Sequence, residues 1–276
     1  MQLGTVRIGD NTRAVRVDGE ELVLLDHTDV GALLRAGALE KARSASGERI
    51  AVADADWAPI VPDPDKIVCV GLNYHEHVRE MGNTVPTAPT YFAKYRGTLI
   101  GANDTIELPA ATVSTAVDWE VELCIVIGSP ARHVDPRNAL DHVAGYTVLN
   151  DVSVRDWQMR SRQFLAGKTF EHSTPVGPLM TTTDVLGDGS GLAVRTIVDG
   201  VVKQDSTTDE LIFTTRDLVA DLSTVITLLP GDLIATGTPS GVGHARNPPE
   251  YLTEGSELVT TIEGIGELRN RCAHLG

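Results

Sequence analysis

DWEVELCIVIG, residues 118–128, is an apolar stretch with two acids near its start, and it decides the fold of the chain. Successive side chains of a β-strand point to opposite faces, so Glu120 and Glu122 share one face and Trp119 and Leu123 share the other. Two neighbouring carboxylates repel each other, which either raises a pKa or requires a cation. The stretch therefore predicts a β-strand that presents a pair of acids.

A third acid ends a second apolar run, AGYTVLND, in which Asp151 lies at a strand-to-loop junction. Three carboxylates without a nearby His or Cys pair favour a hard cation, Mg²⁺ or Mn²⁺ first and Ca²⁺ next. Glu120 and Glu122 also fit the solvated face of a half-buried strand. Taken alone, the strand favours this simpler interpretation, because exposed charges are common on protein surfaces.

The rest of the chain beyond the first 60 residues is dominated by strand patterns. They lie in KIVCVGLNY (66–74), PTYFAKY (89–95), DTIELP (104–109), WEVELCIVIG (119–128), AGYTVLND (144–151), LAVRTIVDGVVKQ (192–204, with a turn at Asp199-Gly200), DLIATG (232–237) and ELVTTIEGIGELRNRC (257–272). Helical periodicity is convincing only in 75–82 and 214–229. Strands that outnumber helices without βαβ alternation argue against a doubly wound parallel sheet. We expect a β-rich α+β catalytic domain with a mixed or antiparallel sheet over residues 63–276.

Residues 1–60 are expected to form a small α+β domain of their own. RAVRVDGEELVLL alternates around Asp18-Gly19, which is typical of a hairpin turn. A short helix is predicted over 29–39. The segment 58–65 contains three prolines and is interpreted as a linker.

Composition excludes several classes of partner. The 276 residues carry a formal net charge of −15 and only 4% aromatic residues, so neither nucleic acid nor an anionic membrane is an expected partner. The N-terminus lacks the pattern of a signal peptide and no stretch approaches a membrane span, so we expect a cytoplasmic protein. The three cysteines show no zinc-site spacing, and Cys69 and Cys124 are expected to be buried thiols.

A series of motifs in fixed order extends this interpretation. They are GLNYHEHVREMG (71–82), FAK (92–94), DWEVELCIVIG (118–128), NDVSVRDWQ (150–158), GKTFEHSTPVGP (167–178), LLPGDLIATGTPSGVG (228–243) and EGIGELRN (263–270). Together they resemble the fumarylacetoacetate hydrolase family from about residue 66 to about residue 270. The resemblance implies a rolled, mixed β-sheet, a homodimer, and metal ligands at Glu120, Glu122 and Asp151.

His77 and Glu80 are three residues apart on a predicted helix and so share a face. A carboxylate can orient an imidazole and raise its basicity, after which the imidazole can take a proton from water. The resemblance implies that this is the family's His/Glu dyad, on a segment that closes over the substrate. A surface salt bridge is the alternative.

Lys168 matches a lysine that the family places near the metal, where it could stabilise enolate charge. The alternative is an ordinary loop lysine. Gln158 matches a glutamine that positions water or substrate. Arg155 and Asp156 are predicted to form a structural ion pair.

Thr238 lies in the glycine-rich run 236–243, which lacks the ending of a phosphate loop. The resemblance implies that its hydroxyl binds a substrate carboxylate; a tight turn after a strand would use the same glycines. Lys94-Tyr95-Arg96 stands where many smaller relatives have Lys-Pro-Ser, which leaves the substrate open. Lys94 is expected to neutralise a substrate carboxylate or support its loop, and Arg96 offers a fork for a second carboxylate.

The resulting hypothesis is hydrolysis of a C–C bond in an acylpyruvate or a fumarylacetoacetate-like diketo acid. The metal chelates a small 2-oxo acid, His77 activates a water, and Lys168 helps to hold the enolate. Oxaloacetate decarboxylation, or isomerisation of an oxo-dioate, would use the same metal site without an attacking water. A non-catalytic ligand-binding protein is the alternative outside enzymes.

Overall fold

The computed structural model describes residues 1–274. The strands are β1 Gln2–Ile8, β2 Asn11–Asp18, β3 Glu21–Leu24, β4 Arg49–Ala51, β5 Ile67–Gly71, β6 Thr90–Lys94, β7 Leu99–Ile100, β8 Ile106–Glu107, β9 Val117–Asp118, β10 Val121–Ile127, β11 Val143–Asn150, β12 Ser153–Val154, β13 Thr174–Thr182, β14 Ala193–Val198, β15 Val201–Thr207, β16 Leu233–Ala235, β17 Glu257–Ile262 and β18 Gly266–Ala273. They outnumber the helices, as the sequence predicts.

The helices are short. They are α1 Val30–Arg35, α2 Leu39–Ala42, α3 His75–Glu80, α4 Arg155–Gln158, α5 Leu165–Lys168, α6 Thr183–Leu186 and α7 Thr215–Val225. In α7, Thr214 and Asp217 form a capping box that satisfies backbone N–H groups at the start of the helix. Within residues 1–274, no helix has both the length and the apolar character needed to cross a membrane.

Two sheets form the scaffold. The larger has eleven strands in the order β4-β3-β2-β1-β13-β11-β10-β16-β5-β6, with β7 paired to β13. Most neighbours are antiparallel, whereas β16 and β5 run parallel, so the sheet is mixed. The smaller sheet has the order β15-β14-β17-β18-β8. The β-rich α+β fold with a mixed sheet is therefore confirmed.

The core fills the space between the sheets. Strands β14, β17 and β18 contact β10, β11 and β13. Leu123 and Ile125 of β10 belong to one buried cluster, together with Val194 of β14, while Cys124 and Val126 of β10 belong to a second cluster on the other face. Strand β10 is thus buried on both faces, and the alternative interpretation, in which Glu120 and Glu122 lie on a solvated face, is wrong.

The first 60 residues extend the large sheet. The predicted hairpin turn at Asp18-Gly19 joins β2 to β3, and α1 lies inside the predicted helix. Strand β1 pairs with β13, with Leu3 opposite Met180. The N-terminal strands therefore continue one sheet with the rest of the chain, while the division into domains at residues 60–63 stays a prediction.

One central strand escapes the sequence patterns. Strand β13 has nine residues and lies between β1 and β11, although it contains Pro175, Gly177 and Pro178. Proline cannot donate a hydrogen bond to a ladder, so such a stretch reads as a loop. The ladder between β11 and β13 shifts register between Tyr146 and Val148, next to this segment. The irregularity accommodates residues that a regular ladder would exclude.

Candidate active site

The three predicted metal ligands meet at one buried point. Glu122 lies on β10 and Glu120 immediately precedes it, while Asp151 immediately follows β11. Strands β10 and β11 pair with Val121 opposite Asn150, and the Asp151 N–H donates to the Glu120 carbonyl at 2.9 Å. One carboxylate oxygen of each acid lies within 4.8 Å of the others. An antiparallel ladder therefore brings together acids that are about thirty residues apart in sequence.

Three cations surround this cluster. The Lys168 ammonium lies 2.6 Å from Glu120 Oε2 and 2.7 Å from Asp151 Oδ2. The Lys94 ammonium lies 2.7 Å from Asp151 Oδ1, and the Arg155 guanidinium lies 2.7 Å from Glu120 Oε1. All three cationic side chains are buried. Glu120 and Asp151 are therefore charge-compensated and held in place.

Glu122 has a different environment. Its carboxylate accepts a hydrogen bond from the Gly237 N–H at 2.7 Å, and within residues 1–274 no salt bridge reaches it. Burial and the nearby charges of Asp151 and Glu120 raise the pKa of Glu122 well above its usual range. Burial acts in the same direction on Glu120, but Lys168 and Arg155 outweigh it and lower the pKa of Glu120 to about 2.

This arrangement fits a divalent cation. Carboxylate oxygens are the ligands that hard cations such as Mg²⁺ and Mn²⁺ take. A buried carboxylate without a cation is unfavourable, and an ion bound among Glu120, Glu122 and Asp151 would remove that penalty at Glu122. These three acids are the residues that would hold it.

The predicted dyad lies beside the acids. On α3, His77 Nδ1 lies 3.0 Å from Glu80 Oε2, and His77 is buried. Glu80 Oε1 also accepts a hydrogen bond from the Gly241 N–H at 2.8 Å. The dyad is thus fixed to the glycine-rich loop, unlike an isolated surface salt bridge. The bond through Nδ1 leaves His77 Nε2 free for proton transfer.

A cavity of about 250 Å³ joins the dyad to the acids. Its polar and charged lining residues include His77, Glu120, Glu122, Arg155, Gln158, Lys168, Thr238 and His244, and its apolar ones include Leu72, Met81, Phe92, Met159 and Phe164. A few polar groups that converge in an apolar cavity are typical of a small-molecule site. A larger cleft of about 890 Å³ is more open and is lined by none of the three acids, so we place the chemistry in the smaller cavity.

The predicted substrate-binding residues are only partly brought together. Gln158 and Thr238 line the cavity, whereas Lys94 and Arg96 line the larger cleft. The Lys94 ammonium binds Asp151 and the Val152 carbonyl, which places it behind the acid cluster. Arg96 is exposed and pairs with Asp63. Contact of any of these residues with a substrate stays a prediction.

The expected ion pair between Arg155 and Asp156 is wrong. Arg155 binds Asp118 and Glu120, while Asp156 accepts a hydrogen bond from the Ser114 hydroxyl at 2.7 Å. Adjacent residues of a helix point in different directions, so the two side chains diverge from α4. Arg155 consequently contacts the acid cluster, through Glu120.

A buried carboxylate organises the surrounding backbone. Asp118 accepts hydrogen bonds from the N–H groups of Gly243 at 2.7 Å and His244 at 2.9 Å. It also accepts one from Arg155 Nε at 2.8 Å. Asp118 and His244 escape prediction from the sequence, although Asp118 lies just before the two acids and His244 directly follows the glycine-rich run.

A relative found by sequence comparison aligns with about three quarters of this chain. Over 212 residues, which are 76% of this chain and 67% of the relative, it is 44% identical to the oxaloacetate tautomerase Fahd2a, mitochondrial, of Rattus norvegicus. The name of this relative includes the word mitochondrial. The cytoplasmic location expected for the present chain stays a prediction.

Solved structures agree over the whole chain. A fumarylacetoacetate hydrolase from Exiguobacterium antarcticum has a TM-score of 0.88 with 30% identity, and both chains are covered completely. A 5-carboxymethyl-2-hydroxymuconate delta-isomerase from Mycobacterium smegmatis has a TM-score of 0.83 with 33% identity and the same coverage. The maleylpyruvate hydrolase from Sphingobium sp. SYK-6, solved with manganese(II) and pyruvate, has a TM-score of 0.81 with 30% identity and complete coverage of both chains.

Residues 66–273 match the family described as fumarylacetoacetate (FAA) hydrolase, C-terminal, nearly the range over which the motifs carry the resemblance. The matched region contains the acid cluster, the dyad and the glycine-rich loop. The chain belongs to the fumarylacetoacetate hydrolase family.

Proposed function

We propose that this protein is a divalent-metal-dependent enzyme that transfers a proton within a small 2-oxo dioate, with tautomerisation of oxaloacetate as its reaction. The observation that carries the proposal is the position of His77, held by Glu80, in the same cavity as Glu120 and Glu122. Relatives named oxaloacetate tautomerases support this reaction over the C–C bond hydrolysis that the sequence motifs predict.

The metal end of the site would bind the 2-oxo acid. A divalent cation held by Glu120, Glu122 and Asp151 would supply Lewis-acid chemistry that polarises the 2-oxo group and acidifies the neighbouring C–H bond. Lys168 lies against two of the three acids and is the cation placed to stabilise negative charge on the enolate oxygen.

The dyad performs the proton transfer in this proposal. Glu80 holds His77 Nδ1, so His77 Nε2 takes the proton from the substrate C3 and the electron pair moves into the C2–C3 double bond. The proton is then delivered to the C2 oxygen to give the enol, and the reverse sequence restores the ketone. Leu72, Phe92 and Met159 form an apolar part of the cavity lining, and the reaction consumes no water.

Hydrolysis of an acylpyruvate is the second candidate. The structural similarity to the maleylpyruvate hydrolase, over the whole of both chains, favours it. In that case His77 would activate a water that attacks the distal carbonyl, and the C–C bond would break to give pyruvate and a second acid. The two candidates share the metal site and differ in whether water is consumed.

Product analysis separates these reactions. The purified protein, with Mg²⁺ or Mn²⁺, is given freshly dissolved enol oxaloacetate, and loss of the enol absorbance is followed while pyruvate and CO₂ are measured. A tautomerase removes the enol without forming either product, whereas a decarboxylase forms both. A parallel panel of acylpyruvates detects hydrolysis through pyruvate and the second acid. Metal binding without turnover of any substrate would contradict the enzyme proposal and favour a ligand-binding protein.

The homodimer implied by the resemblance is part of the proposal. Sedimentation equilibrium decides it, because a dimer has twice the 29.5 kDa mass of the chain. A mass of one chain across the concentration range would contradict it.

A further inference from the structure

His244 is a cavity-lining residue that the proposed reaction does not use. It lies at the end of the glycine-rich loop, directly after Gly243, and it lines the same 250 Å³ cavity as His77 and Glu120. A tautomerase needs a metal-side acid cluster and a base, and these are already supplied by other residues. The cavity therefore contains a second imidazole, that of His244, to which the proposed proton transfer assigns no role.

The backbone at His244 is fixed by two hydrogen bonds to Asp118. The His244 N–H donates to Asp118 Oδ2 at 2.9 Å, and the Gly243 N–H donates to Asp118 Oδ1 at 2.7 Å. A Cβ at Gly243 would lie 2.0 Å from the Glu250 carbonyl oxygen, so the chain passes through a space that only glycine fits. Because Asp118 also binds Arg155, which holds Glu120, the position of His244 is tied to the acid cluster.

The ring of His244 is oriented by a tyrosine. Its Nδ1 lies 3.0 Å from the Tyr251 hydroxyl, and the two rings are tilted by 35°. Burial and the charge of Asp118 raise the pKa of Tyr251, so the phenol stays protonated and can donate a hydrogen bond to Nδ1. Tyr251 is outside the set of cavity-lining residues, so Nδ1 faces away from the cavity. With Tyr251 as the donor to Nδ1, the proton of the neutral His244 ring lies on Nε2, and Nε2–H is the donor available to the cavity.

The two cations that line the cavity, Arg155 and Lys168, lie at its acid end. Arg155 is paired with Asp118 and Glu120, and Lys168 is paired with Glu120 and Asp151. A 2-oxo dioate bound by its 2-oxo acid end has a second carboxylate that needs a donor, because a buried charge without a partner is unfavourable. Two imidazoles line the cavity within residues 1–274, those of His77 and His244. His77 is the proposed base, so His244 is the one whose ring nitrogen is left for the distal carboxylate.

We propose that His244 is a specificity-determining residue that donates a hydrogen bond from Nε2 to the distal carboxylate of the substrate, and so selects 2-oxo dioates over 2-oxo monocarboxylates. This inference rests on the proposed function, since it assumes that the 2-oxo acid end lies at the acid cluster. It names the second carboxylate as the group that the enzyme recognises.

A pair of substrates tests the role directly. Oxaloacetate and 2-oxobutanoate have the same four-carbon chain, but 2-oxobutanoate has a methyl group in place of the distal carboxylate. Exchange of the C3 protons for deuterium is followed by NMR for both compounds with the Mn²⁺-loaded enzyme, above the uncatalysed rate. Loss of a hydrogen bond to a charged group corresponds to a drop of about tenfold to hundredfold. His244→Leu is therefore expected to lower the ratio of kcat/KM for oxaloacetate to that for 2-oxobutanoate by this factor, mainly through KM.

Three further variants sharpen the result. His244→Gln keeps a side-chain N–H donor and should restore most of the ratio, whereas Tyr251→Phe frees the ring and should give an intermediate loss. His142→Leu is the matched control, because His142 is also half-buried and its Nδ1 also lies 3.0 Å from a hydroxyl, that of Ser129, but it is not a cavity-lining residue. An unchanged ratio in His244→Leu, or an equal drop in His142→Leu, would overturn the proposal.

Calorimetry separates this inference from the proposed function. The Kd values of oxaloacetate and 2-oxobutanoate are measured for the wild type and for His244→Leu with Mn²⁺ present. If the wild type exchanges neither compound, the tautomerase proposal fails. A selective weakening of oxaloacetate binding in His244→Leu would still support the role of His244, and equal weakening of both compounds would overturn it.

Discussion

At the scale of single residues, Glu122 is the acid of the cluster that no salt bridge compensates within residues 1–274. Its raised pKa means that the folded, metal-free protein binds a proton at Glu122 more tightly than the unfolded chain does. The stability of the metal-free protein therefore falls as the pH rises from the unfolded pKa of about 4.3 toward the higher folded pKa. A cation must displace this proton, so metal affinity should rise with pH over the same window.

Glu122→Gln is expected to stabilise the metal-free protein at neutral pH, because the amide keeps an acceptor for the Gly237 N–H and removes the buried charge. For a chain of this size, each kcal/mol corresponds to about 2–4 °C in Tm. Thermal unfolding without metal should show the increase, and Mn²⁺ should stabilise the wild type more than the variant. Glu254→Gln removes an exposed carboxylate and serves as the control. A lower Tm for metal-free Glu122→Gln would contradict this account of the acid.

Glu80 makes two hydrogen bonds in the site, one with His77 Nδ1 and one with the Gly241 N–H. Glu80→Gln should lower kcat for enol conversion by about 10- to 100-fold, because residues that orient a reacting imidazole typically contribute this much. Steady-state kinetics measures the loss. Glu76→Gln, on the same helix but outside the dyad, keeps an acceptor for the Ser240 hydroxyl and is expected to keep kcat within roughly twofold of wild type. Equal losses in both variants would contradict a specific role for Glu80.

The sequence predicts single residues well where local geometry decides them. Strand alternation places Glu120 and Glu122 on one face, and the spacing of His77 and Glu80 places them on one side of α3. The position of Lys94 depends on a contact 57 residues away with Asp151, and no local pattern encodes such a contact. The hydrogen bond of the His244 N–H to Asp118, 126 residues away, escapes the sequence patterns for the same reason.

At the scale of elements, Asp118 joins three pieces of structure. It ends β9, it caps the glycine-rich loop through Gly243 and His244, and it binds Arg155 at the start of α4. Because Arg155 in turn binds Glu120, a change at Asp118 should reach the metal ligands without touching them.

Asp118→Asn is expected to destabilise the protein by about 3 kcal/mol, near the lower end for breaking a buried ion pair, because Arg155 keeps its contact with Glu120. Metal affinity should fall as well, since Glu120 loses part of its support. Denaturant unfolding and a Mn²⁺ titration measure the two effects. Asp135→Asn, which breaks an exposed ion pair with Arg137, should change neither. Wild-type stability and metal affinity in Asp118→Asn would contradict the linking role.

Element prediction failed where turn residues lie inside a sheet. The strands with clean alternation, such as β14 and β15 around Asp199-Gly200, lie where the sequence predicts them. Strand β13 is hidden by two prolines and a glycine, because its place between β1 and β11 is decided by tertiary pairing. Local propensity therefore gives the regular hairpins and misses the strand that joins the N-terminal segment to the core.

At the scale of the whole molecule, the N-terminal segment completes the large sheet. Strand β1 covers one edge of β13, and Leu3, Val6 and Trp57 are buried in the core. A chain that starts at residue 63 would expose that edge and the apolar surface beneath it, which favours aggregation. We expect such a chain to be poorly soluble or to lose cooperative unfolding, as judged by size-exclusion chromatography and calorimetry. A monodisperse, cooperatively folded fragment would instead support an independent catalytic domain.

We infer that Glu120, Glu122 and Asp151 together hold a divalent cation, and that the substrate on which the dyad acts binds at this cation. The measurement that tests it most directly is a Mn²⁺ titration followed by electron paramagnetic resonance, with and without oxalate, on the wild type and on Glu122→Gln and Asp151→Asn. We expect one tightly bound ion per chain, a spectrum that oxalate changes, and loss of the ion in both variants. Equal binding in the wild type and the two variants, or no bound ion in the wild type, would contradict it.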